Sequence, residues 1–361
     1  MRLFGNPLTA HRYLLDTWSW LNYYFLTVQR ILALPRFIRP PWWMLLTHCA
    51  LILLLLISCA KQERFYGFSG FLFGSYVNIK VLEPDPVKAS RAVQKAFCAM
   101  TRLDSVFSLY LPNSEINQIN QKGKGKLSTD LKNLLLKALA VSEKSNGAFD
   151  ITVLPLIQFW RKYFNTKELP DSWELKQTLQ FVDYRKIKIQ NDSVYLPDGF
   201  KLDLGGIAVG YCVDRAVSVL KQEGIKTGLI DAGGDIFGFG NRRWRVGVKN
   251  PRGEGLIRQF VITNQAIATS GDYEKFFLFG GKRYHHILNP KTGYPAWGCA
   301  SVTVIAPDCV TADAYSTAIF VLGVKDGLAL AEKEAGIETF IITDENSPFG
   351  GLKQYQSFNH R

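Results

Sequence analysis

The chain has 361 residues, of which 47% are hydrophobic and 20% are charged. This composition excludes a disordered chain and is sufficient for a sizeable core, in one large domain or two smaller ones. The formal net charge is +12, but the basic residues after residue 60 are scattered. The sequence has no basic helix and no interleaving of basic and aromatic residues, so we expect no nucleic-acid partner.

The first strong signal is an apolar stretch near the N-terminus. An uninterrupted apolar run from Cys49 to Ile57 lies within MLLTHCALILLLLISCAKQ, residues 44–62. The run is shorter than the roughly 20 residues of a membrane-spanning helix and has the length of a signal-peptide hydrophobic region. The letters LISC, which end at Cys59, resemble the bacterial lipobox, and that resemblance implies a lipidated cysteine at the mature N-terminus. A short membrane anchor is the alternative interpretation.

These signals predict how the chain is organised. Either translation starts at Met44 or the residues before it stay in the cytoplasm, and in both cases we expect a lipid-anchored protein of the cell envelope that faces the periplasm or the exterior. The expected segments are an N-terminal extension (1–43), a lipoprotein signal peptide (44–58), a linker (59–69), one folded domain (70–345) and a C-terminal tail (346–361).

The periodicity of apolar residues predicts a mixed structure. Helices and antiparallel-looking strands alternate without strict strand–helix–strand units, which favours the α+β fold class. Helical patterns occur over residues 87–105, 129–145, 210–224, 311–322 and 325–335. Strand patterns occur over residues 71–82, 187–190, 193–196, 200–204, 227–231, 235–239, 244–249, 257–269, 283–288, 300–306 and 337–343.

Several familiar catalytic and metal-binding motifs are absent from the sequence. It contains no CxxC, no HExxH, no GxGxxG after a strand and no P-loop. Four cysteines follow Cys59, and we expect them to be buried free thiols. Five polar stretches flanked by glycine do stand out, and together they indicate one composite ligand site. They are GAFDITVLPL (147–156), LDLGGIAVG (202–210), LIDAGGDIFGFG (229–240), ATSGDYEKFF (268–277) and RYHHILNPKTGYPA (283–296).

Polar side chains in these stretches and beyond them bear on chemistry. Asp150 lies among apolar neighbours, so either a ligand or a backbone turn must pair with it. His285 and His286 face opposite sides of a strand, so at most one can serve a given site. In VTADAYSTAIF, residues 310–320, Asp313 and Thr317 lie one helical turn apart. A hard cation explains this register, and helix capping by Thr311 with Asp313 in the first turn is the alternative.

The motifs taken together resemble the ApbE-type FAD:protein FMN transferases over about residues 70–345. The resemblance implies an α+β fold of two lobes, T-fold-like, with FAD between them. It also implies an enzyme that uses Mg²⁺ to cleave FAD and transfers FMN to a threonine of an exported or membrane redox subunit, at a Ser/Thr-Gly-Ala-Thr-like segment. The motifs that carry it are GSYVNI, FSLYLPNSEINQIN, GAFDITVLPL, LDLGGIAVGYCVD, LIDAGGDI, AIATSGDYEKFF, HHILNPKTGYP and VTADAYSTAIFVLG.

The resemblance also implies roles for single residues. Asp313, Thr317 and the carbonyl of Gly206 match the metal ligands of the family, and His286 matches its functional histidine. Many members carry a lysine or another polar residue where this chain has Val209, and where a lysine charge is missing, Lys201 or Arg215 could supply it. The positions that match contacts to FAD are Phe73, Tyr110, Ala148, Phe149, Asp150, Asp203, Val209 and Ile287.

Two other functions fit the same motifs. In a Mg²⁺-dependent FAD pyrophosphatase, water takes the place of the threonine hydroxyl and the products are FMN and AMP. A flavin-binding lipoprotein would hold FAD without turnover. The release of AMP separates the enzymes from the binding protein, and the fate of FMN separates the two enzymes.

Overall fold

The computed structural model describes residues 64–345 and 351–357. The chain divides into two units, Met1–Gln62 and Glu63–Arg361, and all described residues belong to the second. The predicted extension (1–43) and signal peptide (44–58), with Cys59, therefore lie outside the described residues and stay predictions.

The centre of the described fold is an eight-stranded sheet in which every neighbouring pair is antiparallel. Three smaller antiparallel sheets accompany it. The predicted α+β class is confirmed. The strands of the large sheet, in spatial order, are β1 (Arg64–Leu72), β2 (Ser75–Glu83), β6 (Thr227–Ala232), β7 (Asp235–Phe239), β10 (Gln265–Gly271), β13 (Ser301–Ala306), β14 (Glu338–Ile342) and β15 (Gln354–Gln356).

The remaining strands form short hairpins and a three-stranded sheet, and a 3₁₀ turn spans Tyr184–Lys186. These strands are β3 (Lys124–Lys126), β4 (Lys188–Gln190), β5 (Ser193–Tyr195), β8 (Trp244–Lys249), β9 (Leu256–Ile262), β11 (Phe276–Phe279) and β12 (Lys282–His285). The helices are α1 (Pro86–Phe107), α2 (Glu115–Lys122), α3 (Thr129–Lys144), α4 (Leu154–Thr166), α5 (Ser172–Leu179), α6 (Ala208–Gln222) and α7 (Cys309–Lys333).

The main core lies between the large sheet and three helices. Helix α7 packs on β10 and β13, and α6 packs between α1 and α7. In the part of the chain that the structure describes, α7 alone is long and apolar enough to cross a membrane, and most of its apolar stretch is buried inside the protein. Helix α7 is thus the central core helix, and it carries Asp313 and Thr317 on its first turns.

Several predicted elements differ from the structure. Residues 64–69, predicted as linker, begin β1, and the strand predicted over 71–82 is interrupted by a turn at Phe73 and Gly74, whose φ angles are +55° and +74°. The pattern at 257–269 forms two strands, because Asn264 turns the chain with φ +50°. The predicted tail contains β15, which pairs with β14.

The segment predicted as a strand over 200–204 has no strand partner. The side chain of Asn120 takes the place of one: its amide donates to the Leu202 carbonyl at 2.8 Å, and its oxygen accepts from the Leu202 N–H at 2.7 Å. The backbone is extended there for that reason, although it belongs to no sheet. Helices α4 and α5 were not predicted. The two helices predicted over 311–322 and 325–335 form α7, which has one non-helical residue, Gly323.

Of the cysteines after residue 59, all four are free thiols. Cys212, Cys299 and Cys309 are buried, as expected, whereas Cys98 is exposed.

Candidate active site

The candidate metal ligands lie at the start of α7. Asp308 caps this helix, since its Oδ1 accepts from the Thr311 N–H at 2.9 Å. The alternative in which Thr311 caps and Asp313 occupies the first turn is therefore wrong: Asp313 is the fifth residue of the helix. Asp313 and Thr317 do lie one turn apart, as predicted, and capping of its own helix does not explain the carboxylate.

Asp313 is 7% exposed and has two polar neighbours from other elements. Its Oδ2 accepts from the Gly210 N–H at 3.1 Å, and its carboxyl hydrogen-bonds the side chain of Asp235. Burial raises the pKa of both carboxyl groups, and the neighbouring negative charges raise that of Asp235 further. Two carboxyl groups in one buried site hold a shared proton unless a cation replaces it.

Thr317 lies beside the glycine turn that precedes α6. A Cβ on Gly206 would lie 3.2 Å from the Thr317 Oγ1 and 3.3 Å from the ring of Phe149. A side chain at this position would have to push these neighbours aside by a few tenths of an ångström, so the backbone of residue 206 lies close to the threonine hydroxyl. Ser270 on β10 lies 3.3 Å from the same hydroxyl. The structure thus brings Gly206, Asp313 and Thr317 together where the starts of α6 and α7 meet.

The oxygen atoms at this place fit a hard divalent cation. Within residues 64–345 and 351–357, neither Asp235 nor Asp313 forms an ion pair with a lysine or arginine, so the negative charge is not neutralised by the protein. The same described residues contain no cluster of three or more His, Cys, Asp or Glu side chains suited to a metal. Carboxylate, hydroxyl and carbonyl oxygens, completed by water and substrate, are what Mg²⁺ prefers.

Asp235 was not among the predicted ligands, although its glycine-flanked stretch was singled out. It lies at the start of β7, directly after the turn at Gly233 and Gly234, and it is partly accessible to solvent. Its hydrogen bond to Asp313 joins residues 78 positions apart in the chain. No local spacing could have revealed that contact.

Asp150 is buried, and the protein itself satisfies its carboxylate. Its Oδ1 accepts from the Thr152 N–H at 2.8 Å and the Thr152 hydroxyl at 2.6 Å, and its Oδ2 accepts from the Tyr184 N–H at 2.9 Å. The sequence left two partners open for Asp150, a ligand or a backbone turn, and the structure shows the backbone turn. The carboxylate fixes the loop that follows the buried Ala148 and Phe149.

Asp203 ties this loop to the glycine turn. Its N–H donates to the Ile151 carbonyl at 2.8 Å, and its Oδ1 accepts from the Gly205 N–H at 2.6 Å. Burial raises the pKa of its carboxyl group. The two predicted FAD-binding stretches, 148–150 and 203–206, are therefore held side by side next to Thr317.

The other predicted FAD contacts come from separate elements. Phe73 is half-buried in the turn between β1 and β2, and Tyr110 is 76% exposed in the loop after α1. Val209 is half-buried in the first turn of α6, and Ile287 is buried in the main core after β12. Their roles in binding FAD stay predictions.

The two adjacent histidines differ sharply in exposure, although the predicted strand over 283–288 ends at His285 and His286 lies beyond it. His285 is 1% exposed; its ring nitrogens lie 2.6 Å from the Ala296 carbonyl oxygen and 3.3 Å from the Ile287 N–H. Burial lowers its pKa to about 3. His286 is exposed to solvent, and partial desolvation of its ring by neighbouring protein atoms lowers its pKa to about 4. His286 is therefore neutral at pH 7 and able to accept a proton.

The buried His285 predicts a pH-dependent stability. Below pH 6.5 the unfolded chain binds a proton at this residue, whereas the folded protein does not until about pH 3. We expect the free energy of unfolding to fall by up to about 1.4 kcal/mol per pH unit as the pH drops through this window. Urea unfolding of the wild type and of His285→Gln, from pH 7 to pH 4, measures it. Equal slopes for both proteins would refute the assignment.

The contact between α6 and α7 predicts a second stability effect. A Cβ at Gly210 would lie 2.4 Å from the Cys309 carbonyl oxygen, which belongs to helix backbone and cannot move aside. We expect Gly210→Ala to lower the free energy of unfolding by about 3 kcal/mol. Gly67→Ala is the control, since a Cβ there has no neighbour within 4 Å. Chemical unfolding of both variants tests this, and equal stabilities would contradict it.

The same residues are matched by a known sequence family. The model described as the ApbE family matches residues 73–341, about three quarters of the chain. The chain belongs to the ApbE family. The match includes each of the candidate site residues named above.

Relatives in the ApbE family cover most of this chain. A protein of Klebsiella pneumoniae (strain 342), named FAD:protein FMN transferase, is 32% identical over 78% of this chain and 90% of its own length. A protein of the same name from Treponema pallidum (strain Nichols) is 32% identical over 79% of this chain and 87% of its own.

Solved ApbE structures have the same fold. The ApbE protein of Thermotoga maritima matches with a TM-score of 0.74 and 34% identity, over 81% of this chain and 97% of its own. The flavin transferase ApbE of Vibrio cholerae matches with a TM-score of 0.71 and 27% identity, over 82% of this chain and 98% of its own.

Val209 is the position where the sequence predicts a departure from the ApbE pattern, and that departure stays a prediction. Each of the two basic residues predicted to compensate has a partner of its own. The Nζ of Lys201 is 3.4 Å from the Gln158 Oε1, and the Nε of Arg215 is 3.8 Å from the Asp130 Oδ1.

Proposed function

We propose that this protein is a FAD:protein FMN transferase that uses Mg²⁺ to move FMN from FAD to a threonine hydroxyl of an exported redox subunit, with AMP as the second product. The observation that carries the proposal is the buried, uncompensated carboxylate of Asp313 beside the Thr317 hydroxyl and the Gly206 backbone. This arrangement lies in a chain whose relatives are named for that reaction.

In the proposed reaction, the threonine oxygen forms a bond to the phosphorus on the FMN side of the pyrophosphate. The bond between that phosphorus and the bridging oxygen breaks, and AMP leaves with the electron pair. A magnesium ion bound by Asp313, Thr317 and the Gly206 carbonyl would neutralise charge on the phosphoryl oxygens.

The protein supplies the proton acceptor and the shape of the site. His286, neutral at pH 7, accepts the proton of the threonine hydroxyl as the bond to phosphorus forms. Asp150 and Asp203 hold the two stretches that carry Phe149 and Gly206. Asp235, hydrogen-bonded to Asp313, adds a second carboxylate next to the cation site.

Product analysis separates this function from its rivals. The protein is incubated with FAD and Mg²⁺, with and without a peptide that bears a Ser/Thr-Gly-Ala-Thr-like segment. We expect AMP release that depends on the peptide and leaves FMN attached to it. Free FMN and AMP at every peptide concentration would identify a pyrophosphatase, and FAD bound without any AMP would identify a non-catalytic flavin carrier.

We further propose that the protein is anchored to a membrane of the cell envelope by a lipid on Cys59. The support is the apolar run followed by LISC in the sequence. Cys59→Ala is expected to remain unprocessed and to lose the lipid. Mass spectrometry of the mature N-terminus measures this in the wild type and the variant. An unlipidated wild-type N-terminus at any other residue would contradict the proposal.

A further inference from the structure

Helices α6 and α7 begin side by side, and each is capped by a carboxylate from the other. Asp214, on the second turn of α6, accepts from the N–H groups of Cys309 and Val310 at 2.8 and 2.9 Å. Asp313, on the second turn of α7, accepts from the Gly210 N–H at 3.1 Å. The two aspartates therefore form a reciprocal pair of caps between the helices.

Helix α6 has no side-chain cap of its own, because Ile207 occupies its N-cap position. At the start of α7, the Asp308 side chain accepts from the Thr311 N–H, and the Asp308 carbonyl accepts the first bond of the helix itself, from the Ala312 N–H. The N–H groups of Cys309 and Val310 precede that first bond and have no partner inside the helix, so they depend on Asp214.

The contact between the two helix starts is close and backbone to backbone. A Cβ on Gly210 would lie 2.4 Å from the Cys309 carbonyl oxygen and 2.9 Å from the Asp313 Cβ. Gly206, in the turn that leads into α6, lies on one side of this contact, and Asp313 and Thr317 on α7 lie on the other. The separation of the candidate metal ligands is thus set by how the two helix starts meet.

We infer that Asp214 is a positioning residue for the cation site: its two hydrogen bonds hold the first turn of α7 against α6 so that Asp313 and Thr317 face the backbone of Gly206. This role rests on the proposed cation site. Asp214 is itself half-buried at a cleft of about 320 Å³ that it lines with Lys137 and Lys221, and its two hydrogen bonds go to the helix backbone of α7.

The test measures the affinity for the metal alone. Mg²⁺ binding to the full mature protein is measured by competition with Mn²⁺, whose free fraction is read by electron paramagnetic resonance. We expect Asp214→Ala to weaken Mg²⁺ binding about 10-fold, as the loss of groups that orient metal ligands does in other proteins. Asp214→Asn retains only one of the two acceptor oxygens, so we expect it to weaken Mg²⁺ binding by a smaller but measurable factor, and it carries the test if the alanine variant does not fold.

Asp171→Ala is the matched control. Asp171 also accepts from two backbone N–H groups, those of Trp173 and Glu174, but at the start of α5. We expect it to lower the melting temperature and to leave Mg²⁺ affinity unchanged. Wild-type affinity in both Asp214 variants would overturn the positioning role and leave the cation site standing. No Mg²⁺ binding by the wild type would overturn the cation site and this role with it.

Discussion

Replacing Asp313 with alanine is expected to reduce FMN transfer at least about 100-fold while leaving the protein folded. Asp313 holds a buried charge that no lysine or arginine neutralises in the described part of the chain, so a bound cation has no substitute for it. The loss of its hydrogen bond to Gly210 is offset in part by the removal of a carboxylate that burial disfavours. Steady-state AMP release and circular dichroism measure the two effects.

The Asn variant of the same residue separates metal binding from capping. Asp313→Asn keeps an oxygen that can accept from the Gly210 N–H but lacks the charge. If the carboxylate binds the cation, the Asn variant is as inactive as the Ala variant. If it only caps α6, the Asn variant keeps nearly full activity and the Ala variant has a lowered melting temperature, which would place the metal site elsewhere. Thr317→Ala is expected to raise the Mg²⁺ concentration needed for activity. Thr317→Ser keeps the hydroxyl and is expected to need no more Mg²⁺ than the wild type.

The second large effect is expected at His286. Its neutral ring is the candidate proton acceptor, and removal of a general base lowers turnover by about 10² to 10⁴-fold. We expect His286→Ala to lose transfer by an amount in this range while FAD binding is retained. His285→Gln, which alters the buried neighbour, is expected to keep turnover at pH 7.

The dependence of FMN transfer on pH tests whether His286 acts as the proton acceptor. The pKa of His286 is lowered to about 4, so the base is lost only as the pH falls toward 4. Transfer should therefore persist at pH 6 and decline below about pH 5. The profile is measured at saturating Mg²⁺, because protonation of Asp313, whose pKa burial raises to about 7, would otherwise cause a decline of its own. Under that condition a midpoint near 6.5, the ordinary value of histidine, would contradict the lowered pKa of His286.

The parts of the site that sequence could predict are those set by local spacing. Asp313 and Thr317 are four residues apart on one helix, so their shared face follows from helical geometry. The different exposures of His285 and His286 were predicted from a strand repeat, but β12 ends at His285, so the repeat does not account for the position of His286. The Gly206 turn was visible as two glycines between a predicted strand and a helix.

The parts that sequence could not predict depend on contacts between distant elements. The hydrogen bond from Asp235 to Asp313, and the caps that Asp214 provides to α7, join segments far apart in the chain. The segment around Leu202 has the sequence pattern of a strand, but its backbone pairs with the side chain of Asn120 and not with another strand. That long-range contact could not be predicted from the pattern. Helix α4 was not predicted because Pro155 opens it and its apolar face packs on the separate cluster around Tyr284.

Intact-mass and peptide mapping of an acceptor protein test the central claim most directly. The mature protein is incubated with FAD, Mg²⁺ and an exported redox subunit that bears a Ser/Thr-Gly-Ala-Thr-like segment, alongside the same subunit with its acceptor Thr→Val. We expect the first subunit to gain one FMN phosphoester on that threonine and become fluorescent in a denaturing gel, with one AMP per FMN, and the second to stay unmodified. An unmodified first subunit, with FMN found only free in solution, would contradict the transferase function.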